Sequence, residues 1–172
     1  SHKQAPNEIY DSGVIVGATN VADLLDVGKF RPGTIIVDDS APHCFRTEDA
    51  FARMDREGDI LFTEGGVLAA PETIPQTAFI SPVVKQLTEQ DPVRLISQLH
   101  PSHITGCYLS SALTLKYSDL AATIGLASLE ESLRHYHKLT EIRYDAGMLH
   151  CEGRLIDEAA IARFRENFGK SS

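Results

Sequence analysis

Two continuous apolar runs joined by a short polar connection constrain the fold of this chain more than any other feature. The runs span residues 14–16 and 34–37, and each is followed by small or acidic residues. Strands that are apolar on both faces are typical of a parallel sheet covered by helices. Parallel neighbours need a connection of roughly a dozen residues or more, and residues 18–33 provide one. We therefore predict two neighbouring parallel strands joined by a compact crossover.

A third strand is predicted to follow in the same sheet. Thr47 is a favourable N-cap for a helix over residues 48–56, and Gly58 is placed to end that helix. Residues 59–64, with three apolar residues at 60–62, are predicted to form the third strand, which ends at Gly65 and Gly66. We predict an α/β fold in which residues 1–70 form a partial, Rossmann-like parallel sheet.

Residues 71–172 are predicted to form a mainly helical region packed on that sheet. Prolines leave room for short helices over residues 82–88 and 92–99. Residues 102–119 are apolar nearly all round, which predicts a buried helix. Ser128 and Glu131 have the capping-box spacing of a helix that runs to about residue 144 and ends at Gly147. A hairpin at residues 152–153 and a helix capped by Asp157 complete the region.

The charge of the 172-residue chain limits its partners. Lys and Arg number 16 against 24 Asp and Glu, a net charge of -8, which argues against a general nucleic-acid-binding surface. No apolar run reaches the roughly 18 residues of a membrane span, and no signal-peptide pattern is present. The three cysteines form no disulfide or zinc framework. We expect a cytoplasmic protein.

The carboxyl ends of the predicted strands are where a ligand is expected. Open parallel sheets bind ligands beyond these ends, so residues 17–20 and 38–40 are the first candidates. Asp38 and Asp39 either contact the ligand or cap the turn before Pro42. His43 and Cys44 follow close behind, and nothing in the sequence assigns them a role.

Residues 14–40 fit two different halves of a dinucleotide-binding fold. Gly17, Ala18 and Thr19 begin like a Gly-rich phosphate loop, with Asp38 near the spacing of a ribose-binding acid. Asn20 and Asp23, however, occupy the positions of the later glycines, where a side chain blocks backbone approach and a carboxylate repels phosphate. We therefore favour the second half of the fold, with the phosphate-binding half outside this chain.

A resemblance to known enzymes supports the second-half interpretation. Residues 14–40 and the segment Phe62-Thr-Glu-Gly-Gly66 resemble the later Rossmann strands of shikimate-dehydrogenase-like and glutamyl-tRNA-reductase-like enzymes. The resemblance implies that Asn20, Gly65 and Gly66 line the nicotinamide end of the cofactor, which is NADP or alternatively NAD. Ala18, Thr19 and Asp38 also lie at the strand ends, and we predict that they contact the cofactor as well.

A narrower resemblance concerns the segment that follows the prolines. The segment Thr105-Gly-Cys107-Tyr-Leu-Ser-Ser-Ala112 is similar to the C-terminal region of long-chain acyl-[acyl-carrier-protein] reductases, and the similarity covers roughly residues 11–148. Those enzymes reduce acyl thioesters to aldehydes through a cysteine in an Ala-Cys-Phe-Ala-Glu-Ala segment. Cys107 matches that cysteine, whereas Ser111 stands where the family has glutamate. The resemblance implies an oxidoreductase acting on an acyl thioester of a carrier protein or coenzyme A.

Cys107 has two interpretations. Near a helix N-terminus its thiolate would be favoured by the helix dipole, and His103, one turn away, would take the proton. Cysteine in an apolar helix is otherwise ordinary core filling. His100, His103 and Cys107 together offer too few ligands in a suitable arrangement, so we predict no metal site.

Other functions stay open on the sequence alone. A half-sheet leaves an unpaired parallel edge, and such an edge must be covered. The chain is therefore either the C-terminal part of the reductase or a non-catalytic module that binds a partner chain or its own copy as a homo-oligomer. A shikimate- or amino-acid-dehydrogenase-type remnant with an inert Cys107 is a further alternative.

Overall fold

The structure is a computed structural model that describes residues 5–75, 81–82 and 100–169. The strands are β1 (Val14–Gly17), β2 (Thr34–Asp38), β3 (Ile60–Glu64), β4 (Val67–Ala69), β5 (His103–Thr105), β6 (Asp145–Ala146), β7 (His150–Cys151) and β8 (Arg154–Leu155). The α-helices are α1 (Thr47–Glu57), α2 (Gly106–Lys116), α3 (Leu129–Glu141) and α4 (Glu158–Phe168). Two short 3-10 helices, Asn7–Asp11 and Val27–Lys29, lie in the connections.

The chain forms two compact units. The first unit comprises residues 1–65 with residues 148–172, and the second comprises residues 66–147. The predicted boundary at residue 70 therefore differs from the observed division, because the hairpin β7–β8 and α4 belong with the parallel sheet. No helix in the described part of the chain has the length and apolar character needed to cross a bilayer.

The first unit is built on the predicted parallel sheet. The strand order is β1-β2-β3, and Ile15, Ile36 and Phe62 are register partners across it. These three side chains are buried in one core with Phe45, Met54 and other apolar residues. The three strands, their parallel pairing and the compact crossover between the first two are thus confirmed. The fold is mixed α/β, as predicted.

One face of the sheet is less covered than the sequence predicts. Val14 and Val16 on β1 are 63% and 70% exposed, whereas Ile15 between them is buried. The first run is therefore apolar on both faces without being buried on both. In the described residues, β1 pairs only with β2.

Helix α1 forms where the sequence predicts a helix, but it starts one residue earlier. Thr47 is the first helical residue, and the N-cap is Arg46, which makes no side-chain capping bond. Glu48 and Asp49 lie in the first turn, where the helix dipole favours acids. Gly58 ends the helix with φ of 64°, a left-handed conformation that favours glycine.

The second unit differs from the predicted buried helix over residues 102–119. Residues 103–105 instead form β5, which pairs antiparallel with β4, and β6 pairs with the other side of β4. Helix α2 begins only at Gly106, and of its residues Leu109 and Leu113 are buried, while Tyr108 and Leu115 are exposed. The prediction of one buried helix was therefore wrong. Residues 103–105 pair with β4 and form a strand, and the helix that follows buries only part of its surface.

Helix α3 has the predicted capping box but ends earlier. The Ser128 side chain accepts from the Glu131 amide, and the Glu131 side chain accepts from the Ser128 amide. The helix ends at Glu141, and Arg143 follows with a positive φ of 65°. Gly147 lies beyond the end of the helix, and its amide donates to the carbonyl of Val67 in β4.

The C-terminal elements are confirmed. Residues 150–155 form the predicted hairpin. The Asp157 side chain accepts from the Ala159 amide at 2.9 Å and caps α4, whose Phe164 is buried in the core of the first unit. The predicted helices over residues 82–88 and 92–99 lie outside the described residues beyond Pro82.

Candidate functional site

The loops that follow the three parallel strands meet at one edge of the sheet. The Asp39 amide donates to the Gly17 carbonyl at 2.8 Å, and the Gly65 amide donates to the Asp38 carbonyl at 2.9 Å. The Thr19 amide donates to Ser40 Oγ at 3.1 Å. Parallel strands place their carboxyl ends on one side. The structure therefore brings together the predicted residues at 18–20, 38 and 65.

The predicted cofactor residues are not equally accessible. Ala18 and Asn20 are exposed, and Thr19 and Gly65 are half-buried. Gly66, which is exposed, belongs to the second unit. Asp38 is only 2% exposed, so its carboxylate lies beneath the sheet edge.

The Asp38 carboxylate organises the turn that follows β2. Its Oδ1 accepts from the Ser40 amide at 3.2 Å and from the Cys44 thiol at 3.1 Å. Its Oδ2 accepts from the Cys44 amide at 3.2 Å and contacts His43 Nδ1 at 2.9 Å. Of the two predicted roles for Asp38, the structure shows the turn-capping one.

These hydrogen bonds decide the charge of the buried acid. Burial alone would raise the pKa of Asp38, but the bonds from Ser40, Cys44 and His43 outweigh it, so its pKa is lowered. Burial and the adjacent Asp38 raise the pKa of the Cys44 thiol to about 12. Asp38 is therefore a carboxylate at neutral pH, and Cys44 is a thiol that donates to it.

Gly17 makes room for this arrangement. A Cβ at residue 17 would collide with Asp38 Oδ1 and would lie 2.7 Å from Cys44 Sγ, which is closer than real contacts allow. The glycine that resembled the start of a phosphate loop is thus explained by packing within the chain.

A second cluster lies next to Asp38. Asp38 and Glu64 are register partners, so their side chains point to the same face of the sheet. His43 lies between them, with Nε2 at 3.4 Å from Glu64 Oε1. Glu64 Oε2 lies 3.4 Å from His150 Nε2, and the Glu152 amide donates to Glu64 Oε1. The hairpin β7–β8 therefore completes the cluster.

Cys151 belongs to the same cluster. The ligand atoms of His43, Glu64 and Cys151 all lie within 4.8 Å of one another. Burial and the nearby Glu64 raise the pKa of Cys151 to about 12, and the residue is fully buried. Without a cation beside it, Cys151 is therefore an inert thiol.

The predicted catalytic pair lies in the second unit. Cys107 is exposed in the first turn of α2. His103 is buried on β5, with its ring centroid 5.2 Å from that of His100. The predicted spacing of one helical turn is wrong, because the helix begins after His103. In residues 5–75, 81–82 and 100–169, His100, His103 and Cys107 form no metal-ligand group.

Sequence reasoning noted His43 near the strand ends without assigning it a role, and it missed Glu64, His150 and Cys151. One signal was available: Asp38 and Glu64 both end predicted strands, and His43 follows Asp38 by five residues. No such signal existed for His150 and Cys151, because the hairpin that carries them is far from β3 in sequence. Thr63 and His150 share hydrogen bonds although they are 87 positions apart. Chemically, the cluster offers imidazole, carboxylate and thiol groups for proton transfer or for metal binding.

Comparisons with protein-family models, with curated proteins and with solved structures found no match for this chain.

Proposed function

We propose that this chain is the C-terminal part of a nicotinamide-dependent reductase that converts acyl thioesters to aldehydes through Cys107. The observation that carries the proposal is the parallel sheet β1-β2-β3, whose polar strand ends gather at one edge. Ligands of open parallel sheets bind at this edge. NADP is the proposed cofactor and NAD the alternative, and the acyl group arrives on a carrier protein or coenzyme A.

The sheet edge fits the nicotinamide end of such a cofactor. Ala18 and Asn20 are exposed and neutral, and the Asn20 amide can donate and accept hydrogen bonds. Asp23 and Asp39 are acidic and would repel a pyrophosphate. A neutral, hydrogen-bonding surface of this kind suits the uncharged carboxamide of nicotinamide. The acidic residues agree with the proposal that the phosphates bind to the other half of the dinucleotide-binding fold.

Exposure distinguishes Cys107 from the other two cysteines. Cys44 and Cys151 are buried with raised pKa values, so neither is a nucleophile at neutral pH. Cys107 is exposed in the first turn of α2. Of the three thiols, Cys107 is therefore the one that an acyl thioester can reach.

The proposed chemistry has two steps. The Cys107 thiolate attacks the thioester carbonyl and forms a carbon–sulfur bond, and the carrier thiol leaves and takes up a proton. A nicotinamide cofactor held by residues such as Asn20 would supply the hydride that converts the acyl group to an aldehyde as its bond to Cys107 breaks. The products are an aldehyde, the oxidised cofactor and the Cys107 thiol, which has taken a proton from water.

Mass spectrometry of the intact chain tests the first step. After incubation with palmitoyl-coenzyme A, we expect one acyl group on Cys107, loss of this adduct in Cys107→Ser, and retention in Cys44→Ala. Addition of NADPH should discharge the adduct as aldehyde if the chain binds the cofactor. An adduct spread over several cysteines, or none on Cys107, contradicts the proposal.

The exposed face of β1 favours a second candidate, a non-catalytic module that associates with its own copy. In the part of the chain that the structure describes, Val14 and Val16 form an exposed apolar strip on a strand that pairs only with β2, and exposed strand edges are normally covered. Light scattering after size exclusion should then show a dimer, and Val16→Lys should shift it to monomer. A strictly monomeric wild-type chain at high concentration contradicts this candidate.

A further inference from the structure

We propose that His43, Glu64 and Cys151 bind a zinc ion. Their ligand atoms lie within 4.8 Å of one another and come from three separate elements: the turn after β2, the end of β3, and β7. Imidazole nitrogen, carboxylate oxygen and thiolate sulfur are all common zinc ligands. This site is independent of the proposed reductase activity.

The distance between His43 and Glu64 fits a shared metal better than a hydrogen bond. Nε2 and Oε1 are 3.4 Å apart, beyond the usual 2.7–3.2 Å of an N–H···O bond. Two ligands of one tetrahedral zinc, each about 2.1 Å from the metal, are separated by about 3.4 Å. These two atoms are therefore already spaced as neighbouring ligands of one ion.

The hydrogen bond on the other side of the His43 ring supports the same assignment. Nδ1 lies 2.9 Å from Asp38 Oδ2, which also accepts from the Cys44 amide. Because this carboxylate oxygen is an acceptor, Nδ1 donates to it, and Nε2 is left as the ring nitrogen that can bind a metal beside Glu64. Zinc-binding histidines commonly donate their second nitrogen to a carboxylate in this way.

Charge balance favours a divalent cation. Glu64 and a Cys151 thiolate together carry two negative charges, which neutralise Zn²⁺ in a largely buried place. The Glu152 amide donates to Glu64 Oε1. The carboxylate is thus oriented from outside the ligand set. Three protein ligands leave the fourth position of a tetrahedral zinc to water.

Metal titration of the full, reduced chain tests the proposal. After treatment with EDTA and removal of the chelator, equilibrium dialysis against Zn²⁺ should give one ion per chain, and zinc should raise the melting temperature. Co²⁺ in place of zinc should produce a thiolate-to-cobalt charge-transfer band in the near ultraviolet, which reports the Cys151 sulfur directly.

Matched variants separate this site from other metal binding. Glu64→Gln keeps the shape of the side chain, and Cys151→Ala removes the sulfur; each should weaken zinc binding at least about tenfold, and Cys151→Ala should abolish the cobalt band. Cys107→Ser and His137→Ala change exposed residues outside the cluster and should bind zinc like the wild type. The proposal is overturned if the wild type binds no zinc, or if folded Glu64→Gln binds it with unchanged affinity.

Discussion

At the scale of single residues, Arg53 joins three parts of the first unit. Its Nη1 donates to the Val27 carbonyl at 2.6 Å, and Nη2 donates to the Phe30 carbonyl at 2.8 Å. Nε and Nη2 also bond to the two Asp59 oxygens at 3.0 and 2.7 Å. One planar side chain on α1 therefore fixes the crossover between β1 and β2 and the start of β3.

Removing the Arg53 side chain should strongly destabilise the folded chain. We expect Arg53→Ala to lower the free energy of unfolding by about 3–5 kcal/mol, because it removes the ion-pair partner of the half-buried Asp59 and the side-chain bonds to the Val27 and Phe30 carbonyls. Arg53→Lys keeps the charge but loses the planar fork, so it should rescue only part of the loss. Urea unfolding followed by circular dichroism measures both. Arg56→Ala, on the exposed side of α1, should change stability by less than about 0.5 kcal/mol.

Gly17 provides a second test at the residue scale. Gly17→Ala inserts a methyl group against the Asp38 carboxylate and Cys44 Sγ, and we expect a loss of about 1–3 kcal/mol in thermal or urea unfolding. Gly13→Ala is the control, because its Cβ would meet only the flexible end of Arg31. Equal losses in the two variants would contradict the packing explanation for Gly17.

Single residues also show where sequence reasoning succeeds at the site. Asp38 and Gly65 could be predicted, because strand ends follow from the apolar runs and parallel strands share one edge. The partners of Asp38 were harder, since a turn brings His43 and Cys44 back under the carboxylate. Cys151 was not predictable, because its place depends on how a distant hairpin packs on β3.

At the scale of elements, β5 and α2 show what an apolar pattern leaves undecided. Residues 103–116 are almost all apolar or small, which indicates burial without showing which face has a partner. Pairing with β4 turns the first part into a strand, and the helix that follows buries Leu109 and Leu113 while exposing Tyr108 and Leu115. The parallel strands were easier, because length and flanking residues define them without knowledge of their partners.

The capping box of α3 predicts a pH response. Bonds from the Ser128 amide and hydroxyl lower the pKa of Glu131 from its usual 4.5. A carboxyl group whose pKa is lowered by folding stabilises the folded state at pH values above its unfolded pKa. This stabilisation is lost as the pH falls through the pKa of the folded state. The amide-exchange protection of α3 should therefore decrease as the pH is lowered below about 4.5.

Two variants isolate this response. Glu131→Gln retains an acceptor for the Ser128 amide but cannot titrate, so its α3 protection should no longer follow the pH in this range. Glu130→Gln alters the neighbouring first-turn acid and should respond like the wild type. A pH response in Glu131→Gln that equals the wild-type response would show that another group is responsible.

At the scale of the whole molecule, the first unit is assembled from both ends of the chain. Residues 1–65 supply the sheet and α1, and residues 148–172 supply β7, β8 and α4. Cys151, Ile156 and Phe164 from the second segment are buried in the same core as Ile36 and Phe62. Local patterns predicted each of these elements, but their joint membership of one core depends on contacts between distant segments.

This arrangement predicts that the second unit can be removed. Thr63 and His150 share hydrogen bonds at 3.1 and 3.2 Å, and Glu64 bonds to the Glu152 amide, so the two chain ends at residues 65 and 148 are close. A Gly/Ser linker of about six residues has a root-mean-square span of roughly 13 Å and should join them. A chain in which this linker replaces residues 66–147 should keep one cooperative unfolding transition in circular dichroism and dispersed amide signals in NMR spectra.

In the same linked chain, Phe164→Ala should lower the free energy of unfolding by about 3–5 kcal/mol, because the core depends on α4. If the linked chain is unfolded while the full chain is stable, then residues 66–147 are required for the sheet, and the first unit does not fold by itself.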